Sequence, residues 1–551
     1  MLFQPLKYYT SKSSQKGGFF GSFHEEISKG VLTLVLVLLS FLVFSQSNKT
    51  TSSSSKIEIL NANVLEYEEL KGMNVKKLIG NVRLKHDEAL MFCDSAYIYS
   101  NSNTMDAYNH VRVEQGDSLK IFGDSLKYDG NKKKAVLRGN IRLINNDVTL
   151  TTNFLDYNRN TNIAYYYGGG KMVNEKENNT LTSEQGYYYT ASESFFFKED
   201  VVLTNPSYKI EADTLNYLSK TEIVRFLGPT TITSDENFIY TENGWYNTIS
   251  NTSKFYQNAY LFTEKKRIEG DTLYYDRNQG FGEIICNAMI TDTAENIILQ
   301  GNVAHLFELK DSVMITQEAL MQQITANDTL FLHADTFIVS TQYIIKDSLT
   351  NHSDTTAIKK DTLRRLLGYN YVKFYKKDMQ GKADSIVYDF STSTINFYHE
   401  PVIWSKENQI TGDFIYLLTT NNNPNKMLIN GNAFIISKAD SIHENYNQIK
   451  GKNMVAYFKN QAIYKIDVKK NAQTIYYAID EEGKYIGVNK LSGNDMLIFL
   501  NNNEIQSITF IKTPEGVISP LQDVSPKDVT LKGFNWKGSE RPTDRHAIFM
   551  R

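Results

Sequence analysis

A small acidic residue recurs along the chain, followed by apolar or aromatic residues two and four places later. Examples are IFGDSLKYDGNK at 121–132 and IEGDTLYYDRNQ at 268–279. Paired carboxylates could serve as general acid and base, so these residues are the first candidates for chemistry. We call them the marker residues. They are Asp94, Asp124, Asn153, Gln185, Asp213, Glu242, Asp271, Asn302, Asp335, Asp384, Asp413 and Asn453.

Amides replace the acid at four marker positions, namely Asn153, Gln185, Asn302 and Asn453. An amide keeps the hydrogen bonds of a carboxylate but cannot exchange a proton near neutral pH. The marker therefore predicts a side chain that caps a bend in the strand by accepting backbone N–H bonds. General acid–base catalysis by these residues is not expected.

Other catalytic and cofactor patterns are missing from the sequence. There is no GxSxG nucleophile elbow, and YYYGGGKM at 165–172 lacks the first glycine and the Ser/Thr of a phosphate loop. The nine histidines are scattered without ligand spacing. Cys93 and Cys286 form neither a metal motif nor a disulfide framework and are expected to be half-buried thiols. We predict no enzymatic activity, no metal and no cofactor.

The composition and the spacing of the markers predict a β-repeat protein. The chain has 35 Tyr and 30 Phe against 9 Pro, which favours strands. Nine of the eleven marker spacings lie between 28 and 33 residues. After the marker, residues alternate with period two, so one face of a strand is buried and residues such as Lys127 and Asn216 face outward. The inward residues predicted here are Leu126, Tyr128, Leu155, Tyr157, Leu215, Tyr217, Leu273 and Tyr275.

A second pattern, with Gly-Asn before alternating apolar residues, interleaves with the first. It is clearest in GNVRL at 80–84 and GNIRL at 139–143, which add Val82, Leu84, Ile141 and Leu143 to the inward set. Gly and Asn accept the conformations that a corner requires, so each repeat of about 29 residues supplies two bent strands. The fold class predicted is all-β, an elongated, solenoid-like β-jellyroll stack of antiparallel strands around an apolar interior.

The N-terminus predicts export. Lysines precede the uncharged run VLTLVLVLLSFLVF at 31–44, whose 14 residues suit a signal peptide better than a membrane span. We predict a cleaved signal peptide at 1–45 and a polar linker at 46–56, with an uncleaved anchor as the alternative. The net charge of −3, with both signs interspersed, predicts no binding to nucleic acid.

The alternation of GNV/GNI with ADTLNY/GDTLYY at this period, behind a signal peptide, resembles the OstA-like (LptA-type) family of periplasmic lipopolysaccharide-transport proteins. The resemblance implies a β-jellyroll that is V-shaped in section and whose apolar groove shields lipid acyl chains. It implies lipopolysaccharide or a similar glycolipid as the ligand, and the twelve inward residues above as the groove lining. The implied partners are other jellyroll-type transport components that pair through strand edges. The implied location is the periplasm, with membrane association through partners and possible contact with the outer membrane.

The repeats divide the chain into predicted segments. These are OstA-like repeats at 57–340, an insertion at 341–366, further repeats at 367–470, a small β capping region at 471–512, and an irregular C-terminal tail at 513–551 that could dock a partner. Two rival functions stay open at this point. One is a structural or adhesive β-repeat protein with a solid core, and the other is a carbohydrate-binding β-helix. The aromatic clusters AYYYGGG, QGYYYTA and SESFFFKED fit either a core or a ligand surface.

Overall fold

The structure is a computed structural model. It describes residues 56–550 except positions 71–72, 116–118, 146–147, 159, 177, 190, 193, 219, 235–236, 264, 326–327, 346–359, 421–422, 440–443, 481–483 and 502–503. The predicted signal peptide and most of the predicted linker lie outside the described residues. The described chain forms two compact units, of which the first includes residues up to 263 and 269–283, and the second includes 265–268 and 284–550.

The first unit is built from antiparallel strands that pair with their neighbours in sequence. β1 and β2 pair with the two halves of β3. The strands are β1 (Glu58–Asn61), β2 (Val64–Leu70), β3 (Met73–His86), β4 (Ala89–Tyr99), β5 (Thr104–Gln115), β6 (Leu119–Asp129), β7 (Lys134–Asn145), β8 (Val148–Asn158), β9 (Ile163–Asn174), β10 (Asn179–Tyr189), β11 (Ser194–Asn205), β12 (Tyr208–Leu218), β13 (Ile223–Ser234), β14 (Asn237–Asn247), β15 (Thr252–Tyr256), β16 (Tyr260–Thr263), β17 (Lys266–Glu269) and β18 (Thr272–Asp276), with β17 lying mainly in the second unit.

The second unit continues the same pattern of antiparallel neighbours. Its strands are β19 (Phe281–Asp292), β20 (Ile297–Phe307), β21 (Ser312–Ile324), β22 (Thr329–Ile345), β23 (Lys360–Lys376), β24 (Met379–Asp389), β25 (Thr394–Tyr398), β26 (Val402–Ser405), β27 (Asn408–Thr411), β28 (Phe414–Thr420), β29 (Asn423–Lys438), β30 (Tyr446–Lys459), β31 (Ala462–Ile479), β32 (Tyr485–Asn501), β33 (Glu504–Ile511) and β34 (Glu515–Ser519). The 3₁₀ helices in the described part of this unit are Glu308–Lys310, Leu521–Asp523, Gly538–Glu540 and Ala547–Phe549. The predicted all-β class with antiparallel strands is confirmed.

Most strands bend at a corner near the middle. In most alternate strands the corner is a pair of residues with positive φ, and the strand register shifts there because two residues oppose one on the neighbour. In β13, Gly228 alone has a positive φ. In β7, for example, Gly139 and Asn140 lie opposite the marker Asn153 of β8. These corner pairs occur at 80–81, 109–110, 139–140, 168–169, 199–200, 257–258, 286–287, 317–318, 370–371, 399–400, 431–432, 470–471 and 512–513.

The corners divide the strands into two arms. Arm A contains segments such as 75–79 of β3 and 95–99 of β4, and arm B contains segments such as 82–86 and 89–93. In both arms every second side chain is buried, as the period-two pattern predicts. The arms face each other, since Tyr128 of arm A is hydrogen-bonded to His86 of arm B at 2.9 Å. In the second unit, the ring centroids of Phe374 in arm B and Phe397 in arm A lie 5.4 Å apart.

Several predictions about single residues are corrected. Asn216 is not outward and solvated but only 2 % exposed, because its Nδ2 donates to the Phe195 carbonyl at 3.1 Å. The two thiols are unlike each other: Cys93 is buried and Cys286, at a corner, is exposed. Burial, followed by the charge of Asp94, raises the pKa of Cys93 to about 11.

The predicted segment boundaries can be compared with the strands, although the segments themselves stay predictions. The predicted insertion at 341–366 overlaps the end of β22 and the start of β23, and its residues 346–359 lie outside the described chain. The boundary predicted at 470 falls at a corner inside β31. Beyond residue 513 the chain forms β34, which pairs with β32, before it becomes irregular.

The C-terminal tail, residues 520–550, packs on the second unit. Two buried glutamines each bind its backbone with both ends of the side-chain amide. Gln448 Nε2 donates to the Val529 carbonyl at 2.9 Å, and its Oε1 accepts from the Leu531 N–H at 2.9 Å. Gln409 repeats this contact with the Asn535 carbonyl at 2.7 Å and the Lys537 N–H at 2.6 Å.

Apolar and charged contacts extend this docking along the arm. Leu531 is buried in a cluster with Phe434, Ile436, Ile475, Tyr477 and Val488. Near the end of the tail, Arg541 Nε donates to Gln380 Oε1 at 2.7 Å, and the rings of Phe549 and His333 lie 4.6 Å apart. The tail therefore covers the outer side of arm B in the second unit.

Candidate functional site

The marker residues hold the corners. Eight of the twelve marker side chains reach the corner pair of a neighbouring strand, either at the backbone or at a side chain, whereas Asp213 accepts from Thr214 Oγ1 of its own strand at 3.2 Å. The eight bonds to a corner pair are Asp94 with His110 (2.7 Å), Asp124 with Asn140 (2.8 Å), Asn153 with the Asn140 N–H (3.3 Å), Gln185 with Glu199 (2.9 Å), Glu242 with Asn258 (2.8 Å), Asn302 with Gln317 (2.8 Å), Asp413 with Asn432 (3.0 Å) and Asn453 with the Gly431 N–H (3.1 Å).

This arrangement gives the markers a structural role. The predicted cap on the backbone is confirmed at Asn153 and Asn453, and at the other six of these eight markers the partner is a side chain of the corner pair. Since amides and acids make equivalent bonds at equivalent places, the corner does not depend on a carboxylate. At one corner, the hydrogen bond to Asp94 and its charge raise the pKa of His110 above its ordinary value.

All twelve residues predicted to line the interior lie on the inward side of the arms. Tyr128 and Tyr157 are half-buried, and the other ten are buried. The buried residues are Val82, Leu84, Leu126, Ile141, Leu143, Leu155, Leu215, Tyr217, Leu273 and Tyr275. Their contact with a lipid stays a prediction, because the same inward side chains would be buried whether they pack against the opposite arm or against an acyl chain.

Tyrosines lie four places after many markers, near the free ends of arm A. The hydroxyl of Tyr128 is bonded to His86, and Tyr388 OH donates to Gln323 Oε1 at 3.2 Å. Both partners belong to arm B, so these bonds join the free ends of the two arms. We call the space between these ends the mouth. The mouth thus presents polar hydroxyls above an apolar interior, which is the usual placement of an amphipathic tyrosine.

One tyrosine of this row has an unsatisfied hydroxyl. Tyr217 is 2 % exposed, and its hydroxyl has no hydrogen-bond partner among the described residues. Burial, followed by the charge of Glu222, raises its pKa well above the ordinary value. By contrast, the hydroxyl of Tyr166 is hydrogen-bonded to Ser183 Oγ at 2.6 Å. The Tyr217 hydroxyl is therefore available to a polar group that enters between the arms.

The interior of the second unit contains a cavity between its arms. Its volume is about 50 Å³, and its apolar wall includes Leu332 and Phe374 of arm B and Ile386, Phe397 and Leu417 of arm A. Lys376, Asp378 and Gln461 also line it. A space of this size holds only a few water molecules, so the arms must separate before a long chain can enter.

The aromatic clusters of the sequence divide between two faces. Tyr166 and Phe195 point inward and are buried. Tyr165 and Tyr187 lie on the outer face of arm A with their rings stacked at 4.3 Å. A consecutive run of aromatics therefore supplies both core and outer surface, which neither of the two sequence interpretations expected.

Comparison with known proteins identifies the N-terminal repeats. The family described as OstA-like protein matches residues 54–213, which include β1 to β11 and most of β12. The chain is OstA-like over these residues. This confirms the resemblance seen in the sequence, and the repeated corners described above continue beyond the matched part.

The chain is also similar to a solved structure. A crystal structure of LptH, the LptA homologous periplasmic component of the conserved lipopolysaccharide transport device from Pseudomonas aeruginosa, matches with 14 % sequence identity. The match covers 26 % of this chain and 95 % of LptH, with a TM-score of 0.21. No curated protein matches this chain. No helix in the described part of the chain has the length and hydropathy of a membrane span.

Proposed function

We propose that this OstA-like protein binds lipopolysaccharide or a similar glycolipid in the periplasm and passes it toward the outer membrane. The observation that supports the proposal is the pair of facing apolar rows on arms A and B, repeated from strand to strand in each unit. An acyl chain that moves from water into such an interior gains about 0.8 kcal/mol per buried CH₂. Similar contacts in successive repeats would let the lipid move without a single deep binding site.

The mouth is the entry that the geometry favours. The bonds between arms at Tyr128–His86 and Tyr388–Gln323 are single hydrogen bonds, each of which contributes about 1 kcal/mol. Their exchange for bonds to a glycolipid head group costs little, whereas opening the corner would break the marker bonds and the backbone ladder. The saccharide would remain hydrated outside the mouth while the acyl chains lie between the arms.

The strand edges supply a surface for the proposed partners. β1 and β2 pair on one side, with β3, and expose Leu60 (52 %) and Tyr67 (71 %). At the other end of the strand series, β34 pairs with β32 and exposes Val517 and Ile518. Exposed edges with apolar side chains favour addition of a further strand, so jellyroll-type partners could extend either series. Membrane association would then occur through these partners, after export by a cleaved signal peptide.

Site-specific photo-crosslinking in cells that make lipopolysaccharide tests the proposal. A photoreactive residue at Tyr128, half-buried and inward, is compared with one at Lys127, its exposed and outward neighbour. The same comparison is made between Tyr157 and Asp156. Lipopolysaccharide adducts at the inward positions, several-fold above the outward ones, are expected. Equal adducts at both positions, or none, would favour the rival proposal of a solid structural or adhesive scaffold.

A further inference from the structure

Arginine and phenylalanine alternate across five strands on the outer side of arm B in the first unit. Arg83 of β3 lies directly opposite Phe92 of β4, which lies opposite Arg112 of β5. Arg112 in turn lies opposite Phe122 of β6, and Phe122 lies opposite Arg142 of β7. We call these five residues the Arg–Phe row. Because alternate strands lie about 10 Å apart, the three guanidinium groups are evenly spaced over about 20 Å.

The rings hold the guanidinium groups in place. The Cζ atoms of Arg83 and Arg112 lie 5.8 and 4.2 Å from the centroid of Phe92, and that of Arg142 lies 5.1 Å from the centroid of Phe122. An arginine stacked on a ring keeps its N–H donors free at the edge of the guanidinium plane. Among the described residues, no carboxylate lies within ion-pair distance of Arg83 or Arg142, while Arg112 Nε lies 3.2 Å from Glu114 Oε1.

An open groove of about 560 Å³ lies over the first four residues of the row. Its floor includes Arg83, Phe92, Arg112 and Phe122. This volume is within the range of sites that bind small molecules. The groove lies on the opposite side of arm B from the apolar interior, because the intervening Val82 and Val111 are buried and point inward.

The rim of the groove consists of two corner bonds described above, His110 with Asp94 and Asn140 with Asp124. These groups offer both hydrogen-bond donors and acceptors to hydroxyl groups. The floor, by contrast, offers donors and positive charge. A ligand that fits both therefore carries anionic groups for the floor and hydroxyl groups for the rim.

The charge of the surrounding face agrees with this conclusion. The outward positions of arm B from β3 to β9 hold one acid, Glu114, against a larger number of bases. These bases are Arg83, Lys85, Arg112, Lys120, Arg142 and Lys171. A face with this imbalance attracts anions and raises their local concentration.

We propose that the Arg–Phe row and its groove bind a phosphorylated saccharide. Arginine recognises phosphate oxygens through paired N–H bonds, which accounts for the floor. A flat anionic membrane fits less well, because the site is concave. The inference goes beyond the lipid-binding function proposed above and does not depend on it, since the site is on the outside of the arm.

Calorimetric titration of the full chain at low salt tests the site. The probes are fructose bisphosphate, fructose and inorganic phosphate. The bisphosphate is expected to bind more tightly than phosphate, and fructose is expected not to bind. R83Q/R112Q should weaken bisphosphate binding about tenfold or more, because it removes two charge-assisted contacts. R83K/R112K keeps the charge but loses the paired N–H geometry, so an intermediate loss is expected.

The matched control is K171Q/K209Q, which removes two charges from exposed positions of the same outer face, away from the groove. It should change the affinity less than about twofold. Equal losses in the two glutamine variants would show attraction by net charge without a site, and would overturn the proposal. The proposal would also be overturned if the protein bound phosphatidylglycerol vesicles but not the bisphosphate, and if R83Q/R112Q abolished the vesicle binding. Retained bisphosphate affinity in a folded R83Q/R112Q protein would have the same consequence.

Discussion

Asn140 Nδ2 donates to Asp124 Oδ2 at 2.8 Å, and this bond ties the corner of β7 to the marker of β6. The preceding corner residue, Gly139, has a φ of +77°, and a Cβ atom on it would lie 2.3 Å from Asp124 Oδ2. The corner thus depends on glycine for two separate reasons, its backbone conformation and its close approach to the marker.

Gly139→Ala is therefore expected to destabilise the first unit by about 3 kcal/mol, the sum of a left-handed backbone cost and a steric clash. Gly169→Ala is the matched control, because Gly169 has a φ of +89° but nothing within 4 Å of its Cβ position. It should cost about 1 kcal/mol. Urea unfolding followed by circular dichroism measures both. If the clash is real, Asp124→Ala should recover part of the loss in Gly139→Ala and none in Gly169→Ala.

Two buried tyrosines should respond in opposite ways to loss of their hydroxyl groups. Tyr217→Phe removes a buried hydroxyl without a partner and should stabilise the protein by about 1 kcal/mol. Tyr166→Phe breaks a 2.6 Å hydrogen bond to Ser183 and should destabilise it by about 1 kcal/mol. Urea midpoints of the two variants test this. A destabilised Tyr217→Phe would show that its hydroxyl is already satisfied, and would remove it as a candidate contact for a ligand head group.

The His110–Asp94 bond predicts a specific pH dependence. The bond raises the pKa of His110 above its ordinary value of 6.5, so the folded state binds this proton more tightly than the unfolded state does. The stabilisation is complete below the unfolded pKa and is lost as the pH rises through the folded pKa. Histidine NMR titration should give His110 a higher pKa than in Asp94→Asn, where the charge is absent. An identical pKa in both proteins would contradict the ion pair.

The sequence was sufficient for the fold and for most of the interior, because both depend on local patterns. Gly-Asn corners at 80–81, 139–140 and 431–432 were recognised from residue type alone. The corners at 317–318 and 370–371 were not recognised, because their Gln-Glu and Asn-Tyr pairs adopt the left-handed region without resembling the Gly-Asn pattern. For the same reason the repeat was expected to fade at 471, where the structure has another corner.

Contacts between distant segments could not be predicted. The Arg–Phe row requires the register of five strands, and that register depends on the two-for-one shift at each corner. Docking of the tail requires Gln409 and Gln448 to meet residues more than 80 positions away in sequence. Neither glutamine differs in its local sequence from an ordinary strand residue. Asn216 was wrongly predicted to be exposed. The period-two pattern predicts which side of the strand a side chain lies on, but it does not predict whether other residues cover that side.

The tail provides the last test, since the hydrogen bonds from two glutamines to its backbone can be removed separately from its apolar contacts. Gln409→Ala with Gln448→Ala removes four hydrogen bonds to the tail backbone, each worth about 1 kcal/mol, and leaves the buried Leu531 in place. The double variant should increase the rate of proteolysis within residues 520–550 by about three orders of magnitude, because cleavage follows the population of the released tail and each 1.4 kcal/mol is about a factor of ten.

Gln342→Ala, at an exposed position of β22, is the control and should leave the cleavage rate unchanged. Leu531→Ala should release the tail by a different route, since it removes about 2–4 kcal/mol of apolar burial. Mass spectrometry of the fragments locates the cleavage. Cleavage that is equally fast in the wild-type protein would mean that the tail is already undocked in solution. Cleavage that is fast only in the variants would show that the glutamine contacts hold the tail on arm B.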